Sequence, residues 1–188
     1  MKSARKRAPA RKKPSRIERT AYHEAGHAVA AYLRHWRFTG ISIVPDRYTL
    51  GRCFFSEREI VLRTSRMRET RARLETLIVI SLAGPVAEWL VSGRRNRRGA
   101  LDDFAEAERY AACVTSSEEE LRAYLTWLWE FTGNLMSAEP HWSAVKALAS
   151  ELAGRGEVGE RRARQLIRDA LARRTRSRRG GRRTPLHV

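Results

Sequence analysis

The chain has 188 residues, 42% of them hydrophobic, and a formal net charge of +17. That length and apolar content suit one folded domain with a real core. Two cysteines, Cys53 and Cys113, with no CxxC pair exclude a disulfide-rich scaffold and a zinc ribbon, and both read as small buried residues.

Most of the charge sits at the ends. Residues 1–16 hold eight Lys/Arg and residues 173–188 hold seven Arg, with no acid in either stretch. Composition therefore divides the chain into a basic tail over 1–16, a domain over 17–172 and a basic tail over 173–188. Both tails are poor in apolar residues and are expected to be disordered. They offer weak, salt-sensitive binding to nucleic acid or an anionic surface, or simple solubilisation. Neither tail interleaves aromatics, so base stacking is not suggested. No apolar run approaches the ~20 residues of a membrane span, and no apolar leader follows the N-terminal charges. No transmembrane segment and a cytoplasmic location are expected.

Ser15-Arg16-Ile17-Glu18 fits a capping box that opens a helix. Ile17, Ala21, Ala25, Ala28, Tyr32 and Trp36 then form one stripe at steps of three and four, and the helix should stop at Thr39-Gly40. His23-Glu24-Ala25-Gly26-His27 lies on it as an HExxH motif. Residues four apart stand on one helical face, so the two imidazoles can share a Zn²⁺ and Glu24 can reach a water beside it. The plain alternative is an amphipathic helix with two half-buried histidines. Gly26 in the helix interior points to close packing there.

Ile41 to Val44 and Leu50 to Phe55 read as two strands of a hairpin, with a turn beginning at Pro45-Asp46-Arg47. Residues 66–91 form the longest helical stretch, and Gly84-Pro85 predicts a break or kink within it. A polar loop from Gly93 to Gly99 follows. Further helices are predicted over about 102–115, from Ser116 or Ser117 onward, over 140–153 and over about 159–172.

A catalytic zinc needs a third protein ligand. Ala30 and Leu33 stand where a metzincin needs Gly and His, which excludes that class. His35 lies two turns past His27, about 12 Å along the axis at 1.5 Å per residue, too far for one metal. His141 and His187 read as ordinary polar residues. Glu88, on the apolar half of the long helix, and Asp102 or Asp103, at a helix start, remain. The aspartates also fit plain capping. Spacing does not choose among them.

Several stretches, in order, resemble the FtsH-type zinc peptidases, the protease domain usually fused to an AAA ATPase. They are Thr20 to Val29 around the motif, Ile41 to Pro45, Leu50 to Phe55, Leu82-Ala83-Gly84-Pro85-Val86-Ala87-Glu88, and Leu101-Asp102-Asp103-Phe104-Ala105-Glu106-Ala107. Trp142 to Ile167 is more loosely similar, so about residues 17–170 are covered. The resemblance implies Asp103 as third ligand, with Asp102 as fallback and Glu88 as a structural acid or fallback ligand. The element order already reads as an α+β, mostly α fold, and the resemblance makes it a zincin-like metal helix, a small β-hairpin and a helical bundle. The resemblance also implies a zinc-dependent metalloendopeptidase with Glu24 as general base, and substrate held near Leu50, Gly51, Cys53 and Phe54. No GxxxxGK[ST] is present, so a stand-alone peptidase is expected, cutting peptides or unfolded protein, with a separate AAA ATPase as a possible partner. The rival readings are a catalytically silent interaction module and a nucleic-acid-associated protein acting through its basic tails.

Overall fold

The computed structural model describes residues 13–45, 47, 50–55 and 67–180. Helix α1 spans Arg16–Leu33. Its capping box is formed: the Glu18 N–H donates to Ser15 Oγ at 3.2 Å, and the Ser15 N–H donates to Glu18 Oε2 at 2.7 Å. Ala21, Ala25 and Ala28 of the predicted stripe are buried, whereas Ile17 is 60% exposed in the first turn. The helix ends before the predicted Thr39-Gly40. His35 turns the chain with a positive φ of 57°, and Phe38 enters the next strand fully buried.

Strand β1 runs Phe38–Ser42 and β2 runs Arg52–Phe55. They pair antiparallel, Ile41 opposite Cys53 and Ser42 opposite Arg52. Thus β1 begins earlier than the alternation of Ile41 to Val44 predicted, because Phe38 is drawn into the core. A third strand, β3 over Glu157–Gly159, joins on the other side of β1, giving the order β2-β1-β3. Sequence reading placed no strand there. Three residues between helices carry too little periodicity to read.

Helix α2 spans Met67–Ser92 and passes through Pro85 without interruption, which corrects the predicted break. A proline inside a helix costs about 3 kcal/mol. Here Ile78, Val79, Ile80, Leu82, Ala83, Val86 and Ala87 are all buried on both sides of it. Each large apolar side chain contributes roughly 1.5–3 kcal/mol on burial, so packing outweighs the lost backbone bond. Read as one helix, Glu69–Ser92 is long and apolar enough to cross a membrane, contrary to the run-length expectation. In this fold 67% of its most apolar window is buried, and it forms the central helix of the core.

A 3₁₀ turn over Arg98–Ala100 leads into α3, Leu101–Ala112. Then follow α4 (Glu118–Ser137, capped by Ser117), α5 (His141–Arg155) and α6 (Glu160–Gly180). The fold is thus α+β and mostly α, as expected. Helix α6 continues past residue 172, so residues 173–180 are helical where composition alone suggested disorder. The tail expectations for residues 1–12 and 181–188, with His187, lie outside the described residues. So do Asp46 of the predicted turn and Arg66 at the predicted helix start.

Helices α1 and α2 cross at two glycines. A Cβ on Gly26 would collide with the Ala83 carbonyl and come within 2.8 Å of Ala87 Cβ. A Cβ on Gly84 would occupy the space of the His27 imidazole. The close packing read from Gly26 is therefore present, and it brings the motif helix against the apolar half of α2.

Candidate metal centre

One face of α1 carries Arg16, Arg19, Thr20, His23, Glu24 and His27, at steps of three and four, into a cleft of about 710 Å³. Helix α3 and the turn before it form the facing wall, and β2 with Leu50 and Gly51 forms a third side.

His27 is held from behind. Its Nδ1 lies 2.7 Å from the Ile80 carbonyl of α2, so Nδ1–H donates there and Nε2 is the nitrogen turned to the cleft. His27 Nε2 is 3.2 Å from Asp103 Oδ1, and His23 Nε2 is 3.0 Å from Asp103 Oδ2. One donor atom from each of His23, His27 and Asp103 lies within 4.8 Å of the others. Two neutral imidazoles and a carboxylate are a donor set suited to a divalent cation of zinc type, with a side open to the cleft.

The charges agree with that crowding. Burial works against charge on His23, but its contacts with Asp103 and Glu88 prevail and push its pKa up to about 10. Burial also opposes charge on His27, and Asp103 likewise prevails, raising it. Burial pushes Asp103 up, and the two histidines more than reverse this, holding it well below the usual carboxylate range. A cation bound here would compete with protons for the two imidazoles.

Glu24 is 6% exposed. Burial raises its pKa, against the pull of His27 and His23, and the Cys53 backbone N–H donates to its carboxylate. A Cβ on Gly51 would come within 2.9 Å of Glu24 Oε1, so the bare backbone at 51 gives that carboxylate its space. The Cys53 thiol is buried beside it, and burial together with the Glu24 charge raises the thiol pKa well above its usual value.

Glu88 does not join the three-donor group. Its Oε2 lies 3.6 Å from His23 Nδ1, and Oε1 lies 3.5 Å from Arg19 Nε. Asn96 Nδ2 donates to both Glu88 oxygens at 3.1 and 3.4 Å, while Asn96 Oδ1 accepts the Gly99 N–H at 3.1 Å. Sequence reading missed Arg19 and Asn96. Asn96 followed by Gly99 carries a turn signature that marks an ordered loop, but nothing in it names Glu88 as the partner.

Asp102 lines the cleft as an exposed residue outside the donor group, one helical step from Asp103. Leu50, Gly51 and Cys53 line the cleft, but Phe54 does not; Phe55 does. Alternation puts Cys53 and Phe55 on one face of β2 and Phe54 on the other, although Leu50 just before the strand and Arg52 at its start also line the cleft. His35 is exposed at the end of α1. His141 Nδ1 lies 2.7 Å from the Leu135 carbonyl, the expected ordinary polar role. Cys113 is exposed rather than buried as predicted, because it falls at the solvent-facing C-terminus of α3.

Fold and site together define a helix-borne two-histidine, one-carboxylate centre with a glutamate beside it. Residues 11–116 match the family described as peptidase family M41, and the chain belongs to that family. It is 36% identical over 94 residues to the chloroplastic ATP-dependent zinc metalloprotease FTSH 1 of Oryza sativa subsp. japonica, a match covering 48% of this chain and 13% of that protein. It is 36% identical over 95 residues to the ATP-dependent zinc metalloprotease YME1L1 of Homo sapiens, covering 49% and 12%. It is 36% identical over 97 residues to the ATP-dependent zinc metalloprotease FtsH of Haemophilus influenzae, covering 50% and 14%. The match therefore spans about an eighth of the length of these relatives. The family match ends at residue 116, so α4, α5 and α6 lie beyond it, where the looser resemblance had been expected to continue to 170.

Proposed function

We propose that this chain is a zinc-dependent metalloendopeptidase, with His23, His27 and Asp103 as metal ligands and Glu24 as general base. One observation carries the reading: three donor atoms converge within 4.8 Å on the open side of a cleft that also holds the buried Glu24 carboxylate. Membership of a peptidase family supports it, as do relatives named as zinc metalloproteases.

His23, His27 and Asp103 would hold the zinc, whose Lewis acidity would polarise the scissile carbonyl and lower the pKa of a water molecule toward neutrality. Glu24 removes a proton from that water as its oxygen attacks the carbonyl carbon. The carbon–nitrogen bond breaks, and Glu24 passes the proton to the leaving amine. The Ile80 carbonyl keeps the His27 Nε2 lone pair aimed at the metal position, and Glu88 orients His23 from behind. Strand β2 stands at an edge of the sheet, so an extended peptide can lie along it by strand addition, with Leu50, Gly51, Cys53 and Phe55 beneath it.

The proposed substrates are peptides and unfolded segments. The relatives are named as ATP-dependent, which supports an ATPase working with this domain to unfold and deliver them. The test is cleavage of an unfolded protein such as casein. Cleavage should stop with a chelator, return with zinc, and fall about 10³-fold or more in Glu24→Gln with the metal retained. Chelator-insensitive cleavage, or full activity in Glu24→Gln, contradicts the proposal.

A further inference from the structure

The cleft is lined by Arg16 and Arg19 of α1, Arg47 between β1 and β2, Arg52 of β2 and Arg98 of the 3₁₀ turn. Arg16 and Arg19 stand on the first turns of α1, about 10 and 6 Å along the axis from His23 at 1.5 Å per residue. Arg52 is on β2, next to the Cys53 whose N–H reaches Glu24. Arg98 opens the 3₁₀ turn that enters α3. Arg16 closes the basic N-terminal stretch, and the other four arginines lie within the domain. The capping box fixes the backbone under Arg16, strand pairing with Ser42 fixes Arg52, and the Asn96–Gly99 bond fixes the turn under Arg98.

The cleft also contains acids, but most are already engaged. Asp103 faces the two histidines. Glu88 is held by Arg19, Asn96 and His23. Glu106 accepts from Ser81, Arg109 and Tyr110. Glu24 is buried at the base. Asp102, on the α3 wall, is exposed, as is Glu106. Arg19 is committed to Glu88, so the exposed Arg16 and Arg98 carry the positive charge this lining offers a ligand, while Glu24 and Glu88 lie buried.

We propose that this cleft selects peptides bearing Asp or Glu a few residues from the scissile bond. The inference rests on the peptidase reading of the site. An extended peptide advances roughly 3.3 Å per residue, so side chains about two or three residues from the reacting carbonyl reach the arginine positions. Residues at the scissile bond itself face Glu24, where a carboxylate is repelled. Arg19 lies within one Debye length (~8 Å) of His23 at physiological salt and Arg16 just beyond it, so their pull on acidic chains is strongest at low salt.

The test uses the full zinc-loaded chain and two fluorogenic peptides, identical except that flanking Asp residues become Asn. The expected kcat/KM ratio is about tenfold in favour of the acidic peptide at 50 mM salt, falling to about twofold at 0.5 M. The double variant Arg16→Glu/Arg98→Glu should invert the preference toward a matched Lys peptide. Both sites are exposed, and glutamate in the first turn of α1 suits the helix dipole, so folding is preserved. Equal rates on the two peptides at low salt, or an unchanged ratio in the double variant, overturn the inference while leaving the peptidase reading intact. If neither peptide is cut, the peptidase reading fails. Anisotropy of the same labelled peptides on Glu24→Gln protein then decides the binding preference alone. Tighter binding of the acidic peptide that reverses in Arg16→Glu/Arg98→Glu supports it, and equal binding overturns it.

Discussion

The stretch from α1 to α3 and the stretch from α4 to α6 solve different problems with the same helical material. The first holds the buried His23, Glu24, His27 and Glu88, and it interlocks through glycines. The second contributes apolar residues such as Leu128, Met136, Leu148 and Leu152 to the core, and no residue to the donor group. Its helices α5 and α4 back α1 and α2 respectively. The difference shows how a small domain keeps costly polar groups buried. Chemistry is concentrated at one helix crossing, and the rest supplies apolar packing that holds the crossing closed.

Substitutions in the two regions sharpen that contrast. The largest effect should come from Gly84→Ala, whose new Cβ falls on the His27 ring. Zinc content and cleavage should both drop to background, which metal analysis and a peptide assay would show. Next is Leu148→Ala in α5, expected to lower stability by about 2–5 kcal/mol in denaturant melts. The folded fraction of that variant should still bind zinc one to one, and loss of metal from folded protein would break the division of labour. Asn96→Ala releases Glu88 and the arginine loop, and should weaken zinc binding about tenfold in competition with a chelator. The smallest effect, with the opposite sign, is Gly133→Ala in α4. A Cβ there meets Trp89 at an ordinary 4.0 Å, so the melt should rise by about 0.5–1 kcal/mol.

What could be read in advance follows the same division. The capping box, the HExxH face and the burial of Gly26 were legible because a helix periodicity and its start signals are local. Asp103 was not legible from spacing: Asp102 and Asp103 fit a helix start equally well, and only the resemblance separated them. In the fold they differ by one helical step, which puts one carboxylate between the imidazoles and the other on the cleft wall. The break predicted at Pro85 does not occur because packing on both sides of it overrides the local breaker. Strand β3 and the Asn96–Glu88 contact were hidden because each depends on a partner distant in the chain or on a loop geometry without periodicity.

The most direct measurement is zinc stoichiometry in purified wild type, Asp103→Ala and Asp102→Ala. One zinc per chain in the wild type and in Asp102→Ala, with loss in Asp103→Ala, is the predicted result. Zinc retained at full affinity by Asp103→Ala, or lost from Asp102→Ala instead, would contradict the assignment of the centre.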